Sequence, residues 1–207
     1  MSKVKTKKHS TFIDMTAMSD VTVLLLTFFM LTSTFLPKEP VKVTTPGSVS
    51  EIKVPDVNVL TILINKDGRV FLNLNPDKDK LKVLEMVGKD YSINFTPTQK
   101  KAFVDQPNIG MPVGMLQKFL DLRMEDQDKA LKEGGIPTDS TNNQFKHWVS
   151  LAVTAHKDLF GKDISIAIKA DEGTPYPKVK NVLSTLQDLK QNRYSLVTVL
   201  KPMPAGF

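Results

Sequence analysis

The apolar positions begin with an unbroken run. From Val21 to Leu36, sixteen residues carry no charge, and Pro37 ends the stretch. Counted from Ala17 it is twenty residues long, about 30 Å of helix and enough to cross a bilayer's hydrocarbon core. The pattern predicts a transmembrane helix over 17–36, with Asp20 inside or just within the membrane. Two other readings fit less well. A signal peptide lacks its small-x-small cleavage site before Pro37, and a buried soluble helix is rarely apolar all round.

Beyond the run the pattern changes period. Pro37, Pro40, Pro46 and Pro55 predict an extended linker over 37–56, because proline and the residue before it disfavour helix. Within it Val41-Lys42-Val43-Thr44 alternates as a short strand does. Val57–Ile64 is rich in β-branched residues, Asn65-Lys66-Asp67-Gly68 reads as a turn, and Val70, Leu72 and Leu74 alternate after it. That is a β-hairpin over 57–74. A short helix is expected from Asp79 to Val87. Val113, Leu116, Leu120 and Met124 recur at helical spacing, as do Phe145, Trp148, Val149 and Ala152 in a second helix over 142–159. Gly134-Gly135-Ile136-Pro137 separates these two. Their apolar faces serve packing or partner docking, and Trp148 is expected to be a core anchor. The end reads β-α-β. Ile164, Ile166 and Ile168 alternate, Thr174-Pro175 suits an N-cap and first turn, and Val179, Val182, Leu183, Leu186 and Leu189 share a helical face. Residues 196–200 make a last strand, and Asp171 falls in the strand-to-helix turn as a turn or capping residue.

The fold class is therefore α+β: a single N-terminal transmembrane helix, then a small α+β domain of β-hairpin plus βαβ, with helices on one face and a helical insertion near 75–160. Its segments are a basic tail (1–16), the helix (17–36), the linker (37–56) and the folded domain (57–207).

Charge changes this picture in one respect. The net charge is +6, but residues 1–12 hold Lys3, Lys5, Lys7 and Lys8 and no acid. The rest is nearly balanced, so no nucleic-acid face is expected. The tail instead favours a cytoplasmic N-terminus, with the domain on the far side. There is no cysteine, hence no disulfide and no thiolate metal site. His147 and His156 are nine residues apart, on opposite helix faces, and His156 reads as a boundary residue. No phosphate-binding, dinucleotide, nucleophile-elbow or zinc-protease motif occurs. No enzyme active site, metal or cofactor is expected.

Asp20 is the residue with candidate chemistry. A carboxylate near one end of a membrane helix is costly, and low-dielectric surroundings favour the neutral form of a carboxyl group. Such a group is a proton-carrier candidate; the plainer reading is an aspartate facing water at the helix end. Thr27 lies seven residues on, along the same face, as candidate polar support. The competing reading is that its hydroxyl bonds back to its own helix.

Phe12-Ile13-Asp14-Met15-Thr16-Ala17-Met18-Ser19-Asp20-Val21, running into Val23-Leu24-Leu25-Leu26-Thr27-Phe28-Phe29-Met30, resembles the ExbD/TolR family of biopolymer transport proteins. Ile13, Thr16, Asp20, Val21 and Phe29-Met30 fall in register with the family pattern. Asp20 takes the place of its membrane aspartate, and Thr16 joins Thr27 as polar support. Asp14 stands where asparagine is usual and Ala17 where proline is usual. Ile164–Asp171 followed by Tyr176–Leu183 is similar to the family's strand, turn and helix, and the hairpin fits as well. Residues 75–160 do not align.

The resemblance implies a single-pass protein of the bacterial inner membrane, with its C-terminal domain in the periplasm. It implies a homodimer held by ExbB-like multi-helix subunits, with protons moving through Asp20 and motion passed to a TonB-like periplasm-spanning protein. One helix cannot enclose a hydrated path for a carboxylate, so a multi-helix partner is needed in any case. Three alternatives stay open: a membrane-tethered scaffold or binding module worked by the insertion, a TolR-like subunit for envelope integrity, and a stator-like subunit for motility.

Overall fold

A computed structural model describes residues 15–33, 41–48, 58–139 and 142–200. The basic tail up to residue 14, the 34–36 end of the expected span, and linker residues 37–40 and 49–56 lie outside these. The chain divides into two units, residues 1–37 and 38–207.

The first unit is helix α1, Thr16–Thr32. It buries none of its residues, and apart from Asp20 it holds no ionisable side chain. Ser33 adopts an extended conformation, with ψ 106°, which ends the helix four residues before the expected boundary at 36. Seventeen residues rise about 26 Å. Among the described residues, no helix is long and apolar enough to cross a membrane.

The second unit is built on a four-stranded sheet. Its strands are β2 (Val59–Ile64), β3 (Val70–Asn75), β4 (Ser165–Ala170) and β5 (Tyr194–Leu196), in the order β3-β2-β4-β5. β2 and β3 form the expected hairpin, with Ile64 opposite Val70. Gly68 supplies the positive φ of the turn, +76°. β2 also pairs in parallel with β4, Ile62 opposite Ile168, and β4 pairs in parallel with β5. Crossing from β3 to β4 are α2 (Asp77–Asp90), α3 (Pro97–Asp105), α4 (Val113–Leu120), α5 (Met124–Glu133) and α6 (Gln144–Phe160). Helix α7 (Tyr176–Asp188) connects β4 to β5. A short parallel pair joins β1 (Gly47–Ser48) to β6 (Val199–Leu200).

The insertion differs from expectation in two ways. It holds α3 and α5 as well, and the helix expected through Val113, Leu116, Leu120 and Met124 is broken. Residues 121–123 separate α4 from α5, and Met124 opens α5 exposed to solvent. Buried Gln127 stitches the break. Its Nε2 donates to the Leu120 and Leu122 carbonyls, and its Oε1 accepts from Gln106 Nε2. Carbonyls freed where a helix stops need such partners when buried.

Nor are helices confined to one face of the sheet. Val70, Phe71 and Leu72 are consecutive, point to alternate sides, and are all essentially inaccessible. On one side Phe71 packs against Gly110, where an added Cβ would lie 2.2 Å from the ring; the Leu131 side chain of α5 crowds the same glycine. The insertion also lines the outer edge of β3. Leu72 and Ile109 exchange backbone hydrogen bonds, and Ile136 N–H donates to Val70. An otherwise open sheet edge is thereby paired within the chain.

At the C-terminal end, the single strand expected over 196–200 is split into β5 and β6. The Thr174 hydroxyl donates to the Asn65 carbonyl rather than capping α7, whose N-cap is Pro175.

Gly110→Ala is expected to overpack this junction and cost about 1–3 kcal/mol. Urea denaturation, compared with Gly114→Ala at a site open to solvent, measures it.

Candidate functional site

Asp20 sits one turn into α1. With about 100° per residue, Thr16 and Thr27 fall within about 40° of it, so all three share one helix face. The structure thus brings the expected residues onto one stripe. It also places the Thr27 hydroxyl 2.9 Å from the Leu24 carbonyl, to which it donates. Thr22 donates to the Ser19 and Met18 carbonyls, and Thr32 to the Phe28 carbonyl. Threonine hydroxyls in an apolar helix turn back on their own backbone because nothing else polar is near. Thr27 is thus engaged within its helix, and Asp20 is the stripe's ionisable member.

In the second unit the turn after β4 matters most. Asp171 N–H donates to the Ile64 carbonyl, which continues the β2–β4 pairing. The Asp171 carboxylate accepts from Thr44 N–H at 2.8 Å and from Gly173 N–H at 3.0 Å. Glu172 N–H donates to the Thr44 carbonyl at 2.9 Å. Residues 41–47 therefore do not run free: Val41 is buried, and exposure alternates along the segment with Val43 and Thr45 inward. Val41 and Val43 join the domain's own core. The alternation visible in the sequence serves pairing within the chain.

These two N–H donors, Thr44 first and Gly173 second, hold the Asp171 carboxyl below the usual carboxylate range. Hydrogen bonds to a carboxylate favour its charged form.

A model of the family described as biopolymer transport protein ExbD/TolR matches residues 6–201. The chain belongs to the ExbD/TolR family. The match extends well beyond the stretches that carry the resemblance, and runs through the helical insertion. Comparison with curated proteins and with solved structures gives no match. The family is one of energy-transducing subunits for biopolymer transport, typically associated with the inner membrane, and its members generally work with ExbB/TolQ-type and TonB/TolA partners.

Other side chains singled out in this ExbD/TolR chain resolve as structure. Trp148 is fully buried and stacks on Phe103, ring centroids 6.2 Å apart. His156 is no boundary residue: it is 1% exposed, and its Nδ1 lies 2.6 Å from Oδ2 of Asp79, itself inaccessible. His147 approaches Asp90 at 3.0 Å. Together these two pairs tie α2 to α6 in antiparallel fashion. Sequence reading missed the Asp79–His156 pair because its members are 77 residues apart. Among the described residues no cluster of histidine and acidic side chains could hold a metal ion.

Two outcomes are expected. Asp79→Ala leaves His156 buried without its hydrogen-bond partner and should cost about 1–3 kcal/mol in denaturant unfolding. For Asp171 the sign follows from its lowered folded-state value. Its contribution is complete above the unfolded value of about 4 and is lost as pH falls through the lower folded value. Hydrogen exchange across 41–48 should therefore quicken on acidification below about pH 4 relative to that of β2, after correction for the intrinsic pH dependence.

Proposed function

We propose that this chain is the proton-responsive subunit of an ExbB/ExbD-type inner-membrane motor. It would convert the proton-motive force into motion that powers TonB-dependent transport across the outer membrane. The observation that carries the reading is Asp20: the single ionisable side chain of an otherwise apolar helix, at the register of the family's membrane aspartate. In this reading α1 and the residues after it lie in the bilayer, the lysine tail is cytoplasmic, and the folded domain is periplasmic. Two copies sit within a ring of multi-helix subunits that shields the path. Protonation makes Asp20 neutral and lets it face a less polar wall. Deprotonation on the other side restores the charge and the original facing. The shared stripe with Thr16 gives the carboxyl a polar neighbour, while Thr27 relieves its own helix.

Motion leaves α1 through residues 33–40 and reaches the folded domain, which presents it to a periplasm-spanning partner. The domain carries no chemistry of its own in this account, and the chain is not an enzyme.

A deletion strain grown on scarce, chelated iron tests the reading. Wild type should restore growth. Asp20→Asn, at matched membrane levels, should not, and Asp20→Glu should restore part of it. Full rescue by Asp20→Asn would overturn the proton-carrier role and leave α1 as an anchor.

A further inference from the structure

The helices of the insertion pack inward, but its margin leaves an open cleft of about 540 Å3 beside the hairpin turn. Three parts of the folded unit wall it. The turn contributes Asp67, Gly68 and Arg69, and helix α7 contributes Lys178. The insertion contributes Met111 and Met115 around the start of α4, and the stretch from Glu133 to Asp139 after α5. The walls meet through bare backbone. A Cβ on Gly134 would lie 2.7 Å from the Gly110 carbonyl oxygen, and one on Gly68 would lie 2.7 Å from Lys178 Cγ.

Apolar surface, unpaired backbone and charge together define what fits. Met111, Met115 and Pro137 line the cleft, and Met115 is 59% exposed. Methionine adapts its shape to whatever lies against it. Neither Gly135 nor Thr138 makes a hydrogen bond among the described residues, which leaves polar groups for the main chain of a partner. Three carboxylates, Asp67, Glu133 and Asp139, face two cations. This acidic excess sits in a chain of net charge +6. Glu133 and Asp139 are exposed and form no ion pair among the described residues. The two cations are already engaged: the Arg69 guanidinium donates to the Lys132 carbonyl at 2.8 Å, and the Lys178 stem lies against Gly68. Lysine and arginine match such a surface, because their stems cover apolar groups while their charged heads stay among polar ones.

We propose that this cleft docks an extended, lysine- or arginine-bearing segment of a protein partner. The side-chain stems of the segment lie on Met111 and Met115, and its cationic heads are set against Glu133 and Asp139. Its main chain meets the free backbone groups of Gly135 and Thr138. A recess of this size holds a short segment rather than a broad protein face. The cleft belongs wholly to the folded unit, so the proposal stands apart from the proton reading and from the membrane placement of α1.

The test is fluorescence anisotropy of a dye-labelled hexapeptide of alternating lysine and alanine, with the full chain in nanodiscs of zwitterionic lipid. Wild type should bind it with a Kd below about 1 mM. Glu133→Lys combined with Asp139→Lys should weaken binding about tenfold. Both side chains are exposed, so the two reversals leave the core untouched. Glu125→Lys combined with Asp163→Lys makes the same change in net charge at exposed sites outside the cleft and should bind as wild type does. The same peptide with norleucine in place of lysine should bind about tenfold more weakly, and one with glutamate should not bind. The chain lacks cysteine, so a dye on Met115→Cys reports the cleft directly. It should respond to the lysine peptide, whereas a dye on Leu159→Cys in α6 should not. Asp20→Asn should bind as wild type does, so failure of the cleft and failure of the proton reading are told apart. Any of four results overturns the proposal: no binding at about 1 mM, equal binding by wild type and the Glu133/Asp139 reversals, an equal loss in the Glu125/Asp163 pair, or a glutamate peptide that binds as well as the lysine one.

Discussion

Everything in the folded unit depends on β2 being paired on both sides. Its antiparallel partner β3 is local and is set by the Asn65–Gly68 turn. Its parallel partner β4 begins 106 residues after β2 begins, Ser165 after Val59 by position. A parallel pair needs a long crossover, and here the crossover is the five-helix insertion. Leu60, Ile62 and Ile64 are wholly inaccessible, so a one-residue slip would exchange them for Thr61 and Leu63 on the opposite side. That fixed register places the β4 terminus, and with it Asp171, beside Ile64. The hydrogen bonds that Asp171 and Glu172 share with Thr44 are thus a consequence of strand register.

The insertion has a structural role that follows from the same constraint. A hairpin strand at the end of a sheet leaves backbone groups unpaired, and an exposed edge invites association with other chains. Ile109 and Ile136 occupy that edge, while Gly110 lets Phe71 and Leu131 come together. Gln127 then satisfies the carbonyls at the α4–α5 break, its own side-chain oxygen accepting from Gln106. The buried Asp79–His156 pair fastens α2 to α6, and the stacked Phe103–Trp148 pair fastens α3 to α6. Packing therefore accounts for the apolar faces of the insertion.

Much of this was legible in the residues. The hairpin, the βαβ end, Trp148 in the core and the turn role of Asp171 all follow from period-two or period-3.6 spacing and from Gly68. Helix α3 was legible but overlooked: Thr96-Pro97-Thr98-Gln99 holds both partners of a capping box with proline in the first turn. The α4–α5 break was not legible, because Val113, Leu116, Leu120 and Met124 keep helical spacing straight through it. The carbonyls it frees are met by Gln127, a side chain that reads as surface until its partners are known. The burial of His156 was hidden likewise, since only the fold brings Asp79 to it. For the candidate site, the register of Asp20 was visible, whereas the fastening of Thr44 required the β2–β4 pairing.

The central claim is that motion begins with the charge on Asp20. The most direct measurement is proton entry into vesicles that carry this chain together with subunits of the ExbB/TolQ type with which the family's members generally work, followed with an internal pH-sensitive dye under an imposed potential. The account predicts entry that depends on the chain and disappears in Asp20→Asn, with no change in how much protein is inserted. Equal proton entry for wild type and Asp20→Asn would contradict it.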